Sequence, residues 1–192
     1  MTTGEVVTMA THRRLYHGSD VVIERPDVTH NTGFADLGQG FYLTDDHEAA
    51  RRRAASRARR TGAAAGVVSV FDLDEDCLPW VTMGKGDIAG AEGPAGPFAL
   101  CFADGVAGIS AWIGYILACR SGQTQVGSLG SPALVRAWIA TEEVELVSSG
   151  LLTADEVAEH IDPSELVVQY CLLDQDVVST CLRFVEAEHV PK

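Results

Sequence analysis

The sequence predicts one α+β domain, and three observations support this class. Apolar segments with the composition of strands lie near both ends of the chain, and helical patterns fill the middle. The regular alternation of strands and helices that builds a doubly wound parallel sheet does not occur. The length of 192 residues fits one domain with a substantial core. We therefore expect a single domain over 13–186, preceded by a flexible lead-in over 1–12 and followed by a tail over 187–192.

The first elements are predicted to be two strands separated by a polar loop. Arg14–His17 and Phe41–Leu43 are short apolar segments, and Val21–Ile23 adds a further extended segment. Between them, Asp27–Gly40 is rich in Asp, Thr, Asn, Gly and Gln, which is typical of a loop. The glycines of this loop would let its backbone approach a bound molecule closely.

A helix is expected directly after the second strand. Thr44 or Asp45 supplies the capping side chain, acidic residues fill the first turn and arginines fill the remainder, an order that complements the helix dipole. Thr61 and Gly62 end this helix. The alternating, β-branched segment Gly66–Leu73 then predicts a strand.

The second half is predicted to contain an irregular connection, three helices and two strands. Five glycines and three prolines in 24 residues make Asp74–Pro97 a long surface connection. A capping box at Thr153 and Glu156 opens a short helix. The other predicted elements are helices over Ile109–Arg120 and Pro132–Val147 and strands over Leu166–Leu172 and Cys181–Val185.

The formal net charge of −13 is unevenly distributed. Between Asp45 and Arg60, six arginines accompany three acids, whereas the remainder carries 24 acids and eight bases, a charge of −16. Such an acidic body repels nucleic-acid phosphates at long range, so a protein partner is favoured over nucleic acid. The arginine-rich helix is expected to be mainly a solvated face, and contact with a phosphate or a protein partner is the alternative.

Cysteine usage and hydropathy predict a cytoplasmic protein. The five cysteines are odd in number and include no C-x-x-C pair, which predicts five reduced thiols. The N-terminal residues lack a basic region followed by an apolar one, so no signal peptide is expected. The most apolar run, Val106–Cys119, has 14 residues and is too short to span a membrane. The histidines show no metal-ligand spacing, so no metal site is expected.

Two motifs carry a resemblance to a known fold. L-Y-H-G-S occupies 15–19 and G-Q-G-F-Y-L-T occupies 38–44, and an arginine-bearing helix and a strand follow. This pattern resembles the ADP-ribosyltransferase fold, in the branch whose signature is His, Tyr and a third polar or acidic residue, as in diphtheria-toxin-like and poly(ADP-ribose)-polymerase-like enzymes. It is most similar to a small bacterial family of this fold without an assigned function, for which the resemblance implies a toxin paired with an antitoxin. Weaker similarity around Trp112 and Gln169 extends the resemblance over 13–186.

The resemblance implies split, mixed and antiparallel β-sheets with flanking helices and a cleft for NAD as substrate. His17 would hydrogen-bond a ribose hydroxyl, Gly18 would offer backbone groups to the nicotinamide carboxamide, and Tyr42 would lie against the nicotinamide ring. A neutral imidazole can donate and accept hydrogen bonds, and an aromatic face packs on a flat cationic ring. The other residues expected at the cofactor are Ser19, Gly40 and Phe41. His17 and Tyr42 are therefore expected to converge from adjacent strands on one cleft.

The third catalytic position falls on Gln169, where active relatives have Glu or Asp at the start of a late strand. Glutamine carries no charge and supplies less electrostatic stabilisation than a carboxylate. Either Gln169 suffices or a carboxylate from elsewhere completes the site; Glu143 and Glu145 form a Glu-x-Glu pair that is expected on a helix surface. The leading expectation is an NAD-dependent mono-ADP-ribosyltransferase acting on a macromolecule. The alternatives are an NAD glycohydrolase and a catalytically inactive module that binds NAD or a partner.

Overall fold

The computed structural model describes residues 11–30, 35–84, 94–123 and 125–192. This part of the chain forms a mixed α/β fold with eight strands and five α-helices. The strands are β1 (His12–Ser19), β2 (Phe41–Thr44), β3 (Gly66–Asp74), β4 (Trp80–Met83), β5 (Ala99–Phe102), β6 (Leu134–Trp138), β7 (Val168–Leu172) and β8 (Leu182–Val190). The helices are α1 (His47–Thr61), α2 (Val106–Arg120), α3 (Glu142–Ser148), α4 (Ala154–Ala158) and α5 (Gln175–Cys181), with 3-10 turns at Gly127–Leu129 and Pro163–Glu165.

The described strands pair into one mixed sheet in the order β4-β5-β6-β7-β2-β1-β3-β8. The β4–β5 and β5–β6 pairs are parallel, and the other pairs are antiparallel. The predicted mixture of helices with a mixed sheet is confirmed in this coarse form. The expected division into split sheets is not seen in the pairing, because Tyr16 of β1 is in register with Thr44 of β2 and joins the two halves.

The sheet is strongly curled. Six strand spacings separate β3 from β4 in the sheet order, which would place them about 29 Å apart in a flat sheet. Only six residue steps link Asp74 to Trp80, and these reach about 20 Å at most. The indole Nε1–H of Trp80 also donates to the carbonyl of Glu75 at 2.9 Å. Strands β3 and β4 are therefore drawn towards each other.

Side-chain alternation gives the curled sheet two different faces. On one face, called here the α1/α2 face, α1 packs on Val68 and Val70, and α2 packs on Val135 and Cys171. The opposite, concave face is built from the other set of strand residues. Its buried core includes Leu15, Phe41, Leu43, Phe71, Tyr170, Leu172 and, from α5, Val177 and Val178.

Helix α1 follows the sequence prediction closely. Asp46 is the N-cap, and its carboxylate accepts from the amide of Ala49 at 2.9 Å, so the cap lies one or two residues later than predicted. Gly62 ends the helix in the left-handed conformation, with φ of 76°. Three alanines on the buried side of α1 let the helix backbone approach β1 closely; these are Ala50, Ala54 and Ala58.

Helix α2 is the most apolar helix of the described chain. Its 15 residues bury Trp112, Ile113, Tyr115 and Ile116, as predicted for a core helix. Trp112 also makes an edge-on contact with Trp138, with ring centroids 5.6 Å apart. Across the described ranges, none of the helices has the length and apolar character needed to cross a membrane.

The largest error of the sequence prediction lies at Pro132–Val147, which was expected to be one helix. The structure has strand β6 and the short helix α3 there, because the apolar run of β6 is buried on both sides and carries no period that distinguishes strand from helix. Strands β4 and β5 and helix α5 were also not predicted. The segment Val21–Ile23 forms no strand, and β8 extends to Val190, four residues into the predicted tail. The predicted lead-in lies outside the described residues up to residue 10, as does 85–93 of the predicted connection.

The prediction of five reduced thiols was wrong. Cys77, in the β3–β4 connection, forms a disulfide with Cys181 at the end of α5, 104 residues later. The spacing of cysteines in a sequence does not reveal such a pair, because the antiparallel pairing of β3 with β8, in which Leu73 lies opposite Leu182, brings the two residues together. Cys101, Cys119 and Cys171 are free. Since disulfides persist in oxidising surroundings, cysteine usage no longer supports the cytoplasmic expectation.

Candidate functional site

The three segments that carry the resemblance lie side by side in the sheet. Strands β7, β2 and β1 are consecutive in the strand order. Thr44 of β2 is in register with Tyr16 on one side and with Gln169 on the other. Segments separated by more than a hundred residues are thereby combined at the centre of the fold.

His17 contacts the neighbouring motif strand through the backbone of Tyr42. Its Nδ1 lies 2.7 Å from the carbonyl oxygen of Tyr42. A carbonyl oxygen only accepts hydrogen bonds, so Nδ1 carries the proton. The imidazole also stacks on Phe41, with ring centroids 4.5 Å apart and an interplanar angle of 27°. The ring is thus fixed on two sides at the β1–β2 junction.

The imidazole of His17 is neutral at physiological pH. Burial lowers its pKa from 6.5 to about 4, and the nearby guanidinium groups of Arg53 and Arg57 act in the same direction. The hydrogen bond to Tyr42 opposes this shift but does not cancel it. With Nδ1 protonated in a neutral ring, Nε2 keeps its lone pair and can accept a hydrogen bond. This chemistry suits recognition of a hydroxyl group.

The phenol of Tyr42 does not converge with the imidazole of His17. Phe41 and Tyr42 are successive strand residues and point to opposite faces, and His17 stacks on Phe41. The Tyr42 hydroxyl donates to the carbonyl of Gly38 at 2.7 Å and accepts from the amide of Leu37 at 3.0 Å. Burial on the α1/α2 face raises the pKa of this phenol well above its usual range. The expectation of one cleft lined by both rings is therefore corrected, and Phe41 is the ring beside His17.

The glycines of the two motifs have packing roles. A Cβ on Gly18 would lie 2.1 Å from the carbonyl oxygen of Ala50 in α1. A Cβ on Gly40 would lie 2.4 Å from the carbonyl oxygen of Leu172. Ser19 is buried, and its hydroxyl is 3.3 Å from the carboxylate of Asp20. These contacts explain the residue types without a ligand.

The side chain of Gln169 is buried and hydrogen-bonded to the neighbouring strand. Gln169 is the second residue of β7, is 9% exposed, and donates from Nε2 to the carbonyl of Trp138 at 3.2 Å. The Glu-x-Glu pair, Glu143 and Glu145, lies on the exposed side of α3, as expected. Glu145 forms an ion pair with Arg120 at 2.7 Å. Gln169 and Glu145 are therefore engaged by other partners.

Sequence reasoning passed over two features near the motif strands. Glu165 is the last residue of the 3-10 turn that leads into β7, and it is exposed. Glu165 could have been noticed in the sequence, because it is the acidic residue nearest the start of the predicted strand Leu166–Leu172. Arg53 and Arg57 influence His17 from α1, a relation that only the packing of α1 on β1 reveals.

The described ranges contain two cavities, of about 380 and about 800 Å³, that are lined by residues other than His17 and Tyr42. The larger one lies beside the disulfide, between Gln39, Pro97 and the start of α5. Within the same ranges, no three His, Cys, Asp or Glu side chains group closely enough to hold a metal ion.

Comparison with known proteins gives one match. A family model described as "Protein of unknown function (DUF3990)" matches residues 13–87. The matched range contains both N-terminal motifs, α1, β3 and β4, but less than half of the 192 residues. Comparison with curated proteins and with solved structures finds no match. The chain is therefore similar, over its first motif region, to a family whose function is itself unknown.

Proposed function

We propose that this protein binds NAD and transfers its ADP-ribose group to a macromolecular acceptor. The observation that carries the proposal is the state of His17, a neutral imidazole held at the β1–β2 junction with Nε2 available as an acceptor. The resemblance of L-Y-H-G-S and G-Q-G-F-Y-L-T to ADP-ribosyltransferase motifs supplies the choice of ligand. NAD is the substrate, and the reaction breaks its nicotinamide–ribose bond.

His17 would accept a hydrogen bond from a ribose hydroxyl through Nε2. The hydrogen bond from Nδ1 to the Tyr42 carbonyl fixes the tautomer and the ring orientation that this role needs. The guanidinium groups of Arg53 and Arg57, on α1, add positive charge that acts on the imidazole. Positive charge favours the pyrophosphate of a dinucleotide, which the otherwise acidic protein would repel.

Glu165, rather than Gln169, is our candidate for the third group. A carboxylate near the scissile bond stabilises the positive charge that develops on the ribose as nicotinamide leaves. The Gln169 amide is buried and bonded to Trp138, whereas Glu165 is exposed at the entry to β7. In this arrangement the backbone carbonyl of Tyr42 orients the imidazole of His17. The Tyr42 hydroxyl holds the Leu37–Gly38 segment, and Phe41 packs on the imidazole.

Thermal unfolding with and without NAD tests the binding step. Since a ligand that binds only the folded state raises its stability, NAD should raise Tm, and His17→Ala should remove that increase. His160→Ala is the matched control, because His160 is an exposed histidine on the turn after α4. An NAD-dependent increase in Tm that is unchanged in His17→Ala would refute the assignment of this site.

Nicotinamide release and mass spectrometry test the chemical step. A transferase should leave an ADP-ribose mass on a macromolecule in incubated lysate, and a glycohydrolase should release nicotinamide without such an adduct. Glu165→Gln should reduce nicotinamide release by about a hundredfold or more, whereas Gln169→Glu should not raise it. Equal rates for wild type and Glu165→Gln would remove Glu165 from the mechanism.

An inactive binding module is the second candidate function. It is favoured by the commitment of Tyr42 and Gln169 to internal hydrogen bonds. This candidate predicts an NAD-dependent rise in Tm with nicotinamide release equal to that of buffer. The proposed role as a toxin is tested separately by expression in bacteria, where the active enzyme should slow growth and His17→Ala should restore it.

A further inference from the structure

Arg136 is a half-buried arginine whose charge has no partner in the described chain. It is the third residue of β6, and its Nε is buried without a hydrogen-bond acceptor. The other half-buried arginines described here all form ion pairs, namely Arg13, Arg51 and Arg120. Leaving a buried, charged donor unpaired is unfavourable, and such groups mark sites where an acceptor is bound.

A cavity of about 380 Å³ adjoins the Arg136 side chain. Seven of its ten lining residues are apolar, and they include Phe102 and Trp138 together with Leu166 and Val168. The polar contributions come from Arg136, Asp104 and Ser164. Apolar walls with a few polar groups, at this volume, are typical of a site for a small organic molecule.

The charged groups around the cavity indicate which class of molecule it can bind. The guanidinium of Arg136 can form two parallel hydrogen bonds with one carboxylate. The exposed carboxylate of Asp104 belongs to the same lining but forms no ion pair with Arg136, and it would repel a doubly charged phosphate. We propose that this cavity binds a small organic monocarboxylate with an aromatic or branched aliphatic body, held at its carboxylate by Arg136.

This cavity is distinct from the His17 end of the site proposed for NAD. Three strand spacings lie between β6 and β1, so Arg136 and His17 are about 14 Å apart along the sheet. The cavity lining contains neither His17 nor Phe41. Ser164 and Leu166, the two neighbours of Glu165 in the sequence, do line the cavity, so it adjoins that carboxylate. Binding of a carboxylate by the His17→Ala variant distinguishes this inference from the proposed transferase activity.

Titration calorimetry with 3-phenylpropionate tests the proposal on the full chain. Two compounds serve as controls. The neutral analogue 3-phenylpropan-1-ol has the same phenylpropyl group without the negative charge, and inorganic phosphate has negative charge without an apolar group. We expect saturable binding of the carboxylate with a Kd at least about tenfold lower than that of the alcohol. Equal affinity for the alcohol, or for phosphate, would overturn the assignment of ligand class.

Three variants locate the binding site. Arg136→Gln should weaken carboxylate binding by about tenfold or more, and Asp104→Asn, on the exposed rim, should strengthen it by about two- to threefold. Tyr170→Phe is the matched control, because Tyr170 is the cross-strand neighbour of Arg136 but does not line the cavity. His17→Ala should bind the carboxylate as the wild type does. Unchanged binding in both Arg136→Gln and Asp104→Asn would refute the site.

Discussion

The Nδ1 of His17 lies 2.7 Å from the carbonyl oxygen of Tyr42, while the phenol of the same tyrosine points to the opposite face of the sheet. The two motif residues are therefore linked through backbone and not through their side chains. This relationship keeps the imidazole in one tautomer and leaves its second nitrogen available. Burial of the ring, which lowers the pKa of His17, makes the stability of the fold sensitive to pH.

Acid should destabilise the protein through His17. Because folding lowers the pKa of this imidazole from 6.5 to about 4, the unfolded state binds more protons within that window, and stability falls as pH decreases through it. Between pH 7 and pH 5 we expect a loss of about 2 kcal/mol in the free energy of unfolding. Above about pH 8 the ring is neutral in both states and contributes nothing to the pH dependence.

Urea unfolding at pH 7 and pH 5 measures this loss. His17→Gln is the comparison variant, since an amide can still donate to the Tyr42 carbonyl but does not titrate. The difference between wild type and variant isolates His17 from the other titrating groups. The same pH dependence in both proteins would contradict a buried neutral imidazole.

Loss of the Tyr42 hydroxyl should loosen the segment that precedes β2. Tyr42→Phe removes one hydrogen bond to the Gly38 carbonyl and one from the Leu37 amide. We expect a loss of about 1–3 kcal/mol, together with faster hydrogen exchange of the Leu37 amide. Tyr170→Phe is the control, because the Tyr170 hydroxyl is buried without a partner and its removal should be nearly neutral.

A methyl group at Gly18 should separate α1 from β1. The Cβ of Gly18→Ala would lie 2.1 Å from the carbonyl oxygen of Ala50 and 2.9 Å from the amide of Ala54, and backbone cannot move aside cheaply. We expect a loss of about 3 kcal/mol or more in denaturant unfolding. In contrast, Gly114→Ala lies on an exposed helix position with open space around it and should stabilise by about 0.5–1 kcal/mol. Similar stability for the two variants would argue against the close packing of α1.

Reduction of the disulfide between Cys77 and Cys181 should destabilise the fold. Cys77 and Cys181 close a loop of 104 residues, and opening such a loop costs about 3–5 kcal/mol. Alkylation in denaturant should therefore label three cysteines before reduction and five afterwards. Cys101→Ser is the control, since it removes a free thiol and should leave the effect of reductant unchanged. Five labelled cysteines before reduction would contradict the disulfide.

Some elements could be predicted from the sequence because short-range patterns mark their ends or their faces. Acids before arginines, the capping side chain and Gly62 defined α1, and the capping box defined α4. Alternation identified β3, although its end at Asp74 lies one residue beyond the prediction. These elements are decided by residues that are close together along the chain.

The remainder depends on contacts that no local pattern encodes. Strand β6 was mistaken for a helix because its apolar run fits either structure until β5 and β7 flank it. The sequence predicted that His17 and Tyr42 lie on neighbouring strands, but the register decides which faces they occupy. Tyr16, and not His17, shares a face with Tyr42, because Tyr16 is in register with Thr44. The disulfide and the unpaired charge of Arg136 likewise follow only from the packing of distant segments.

The central position of β2 has a consequence for synthesis of the protein. Its partners are β1, which precedes it, and β7, which is translated more than a hundred residues later. Until the ribosome has delivered residues up to Leu172, the β2 edge has open amides and carbonyls, which are prone to pair with other chains. A nascent or truncated chain therefore contains the motifs of His17 and Tyr42 but lacks β7, which pairs with β2 in the complete sheet. The proposed activity and protection from aggregation should thus arise together, late in translation, when the C-terminal third is complete.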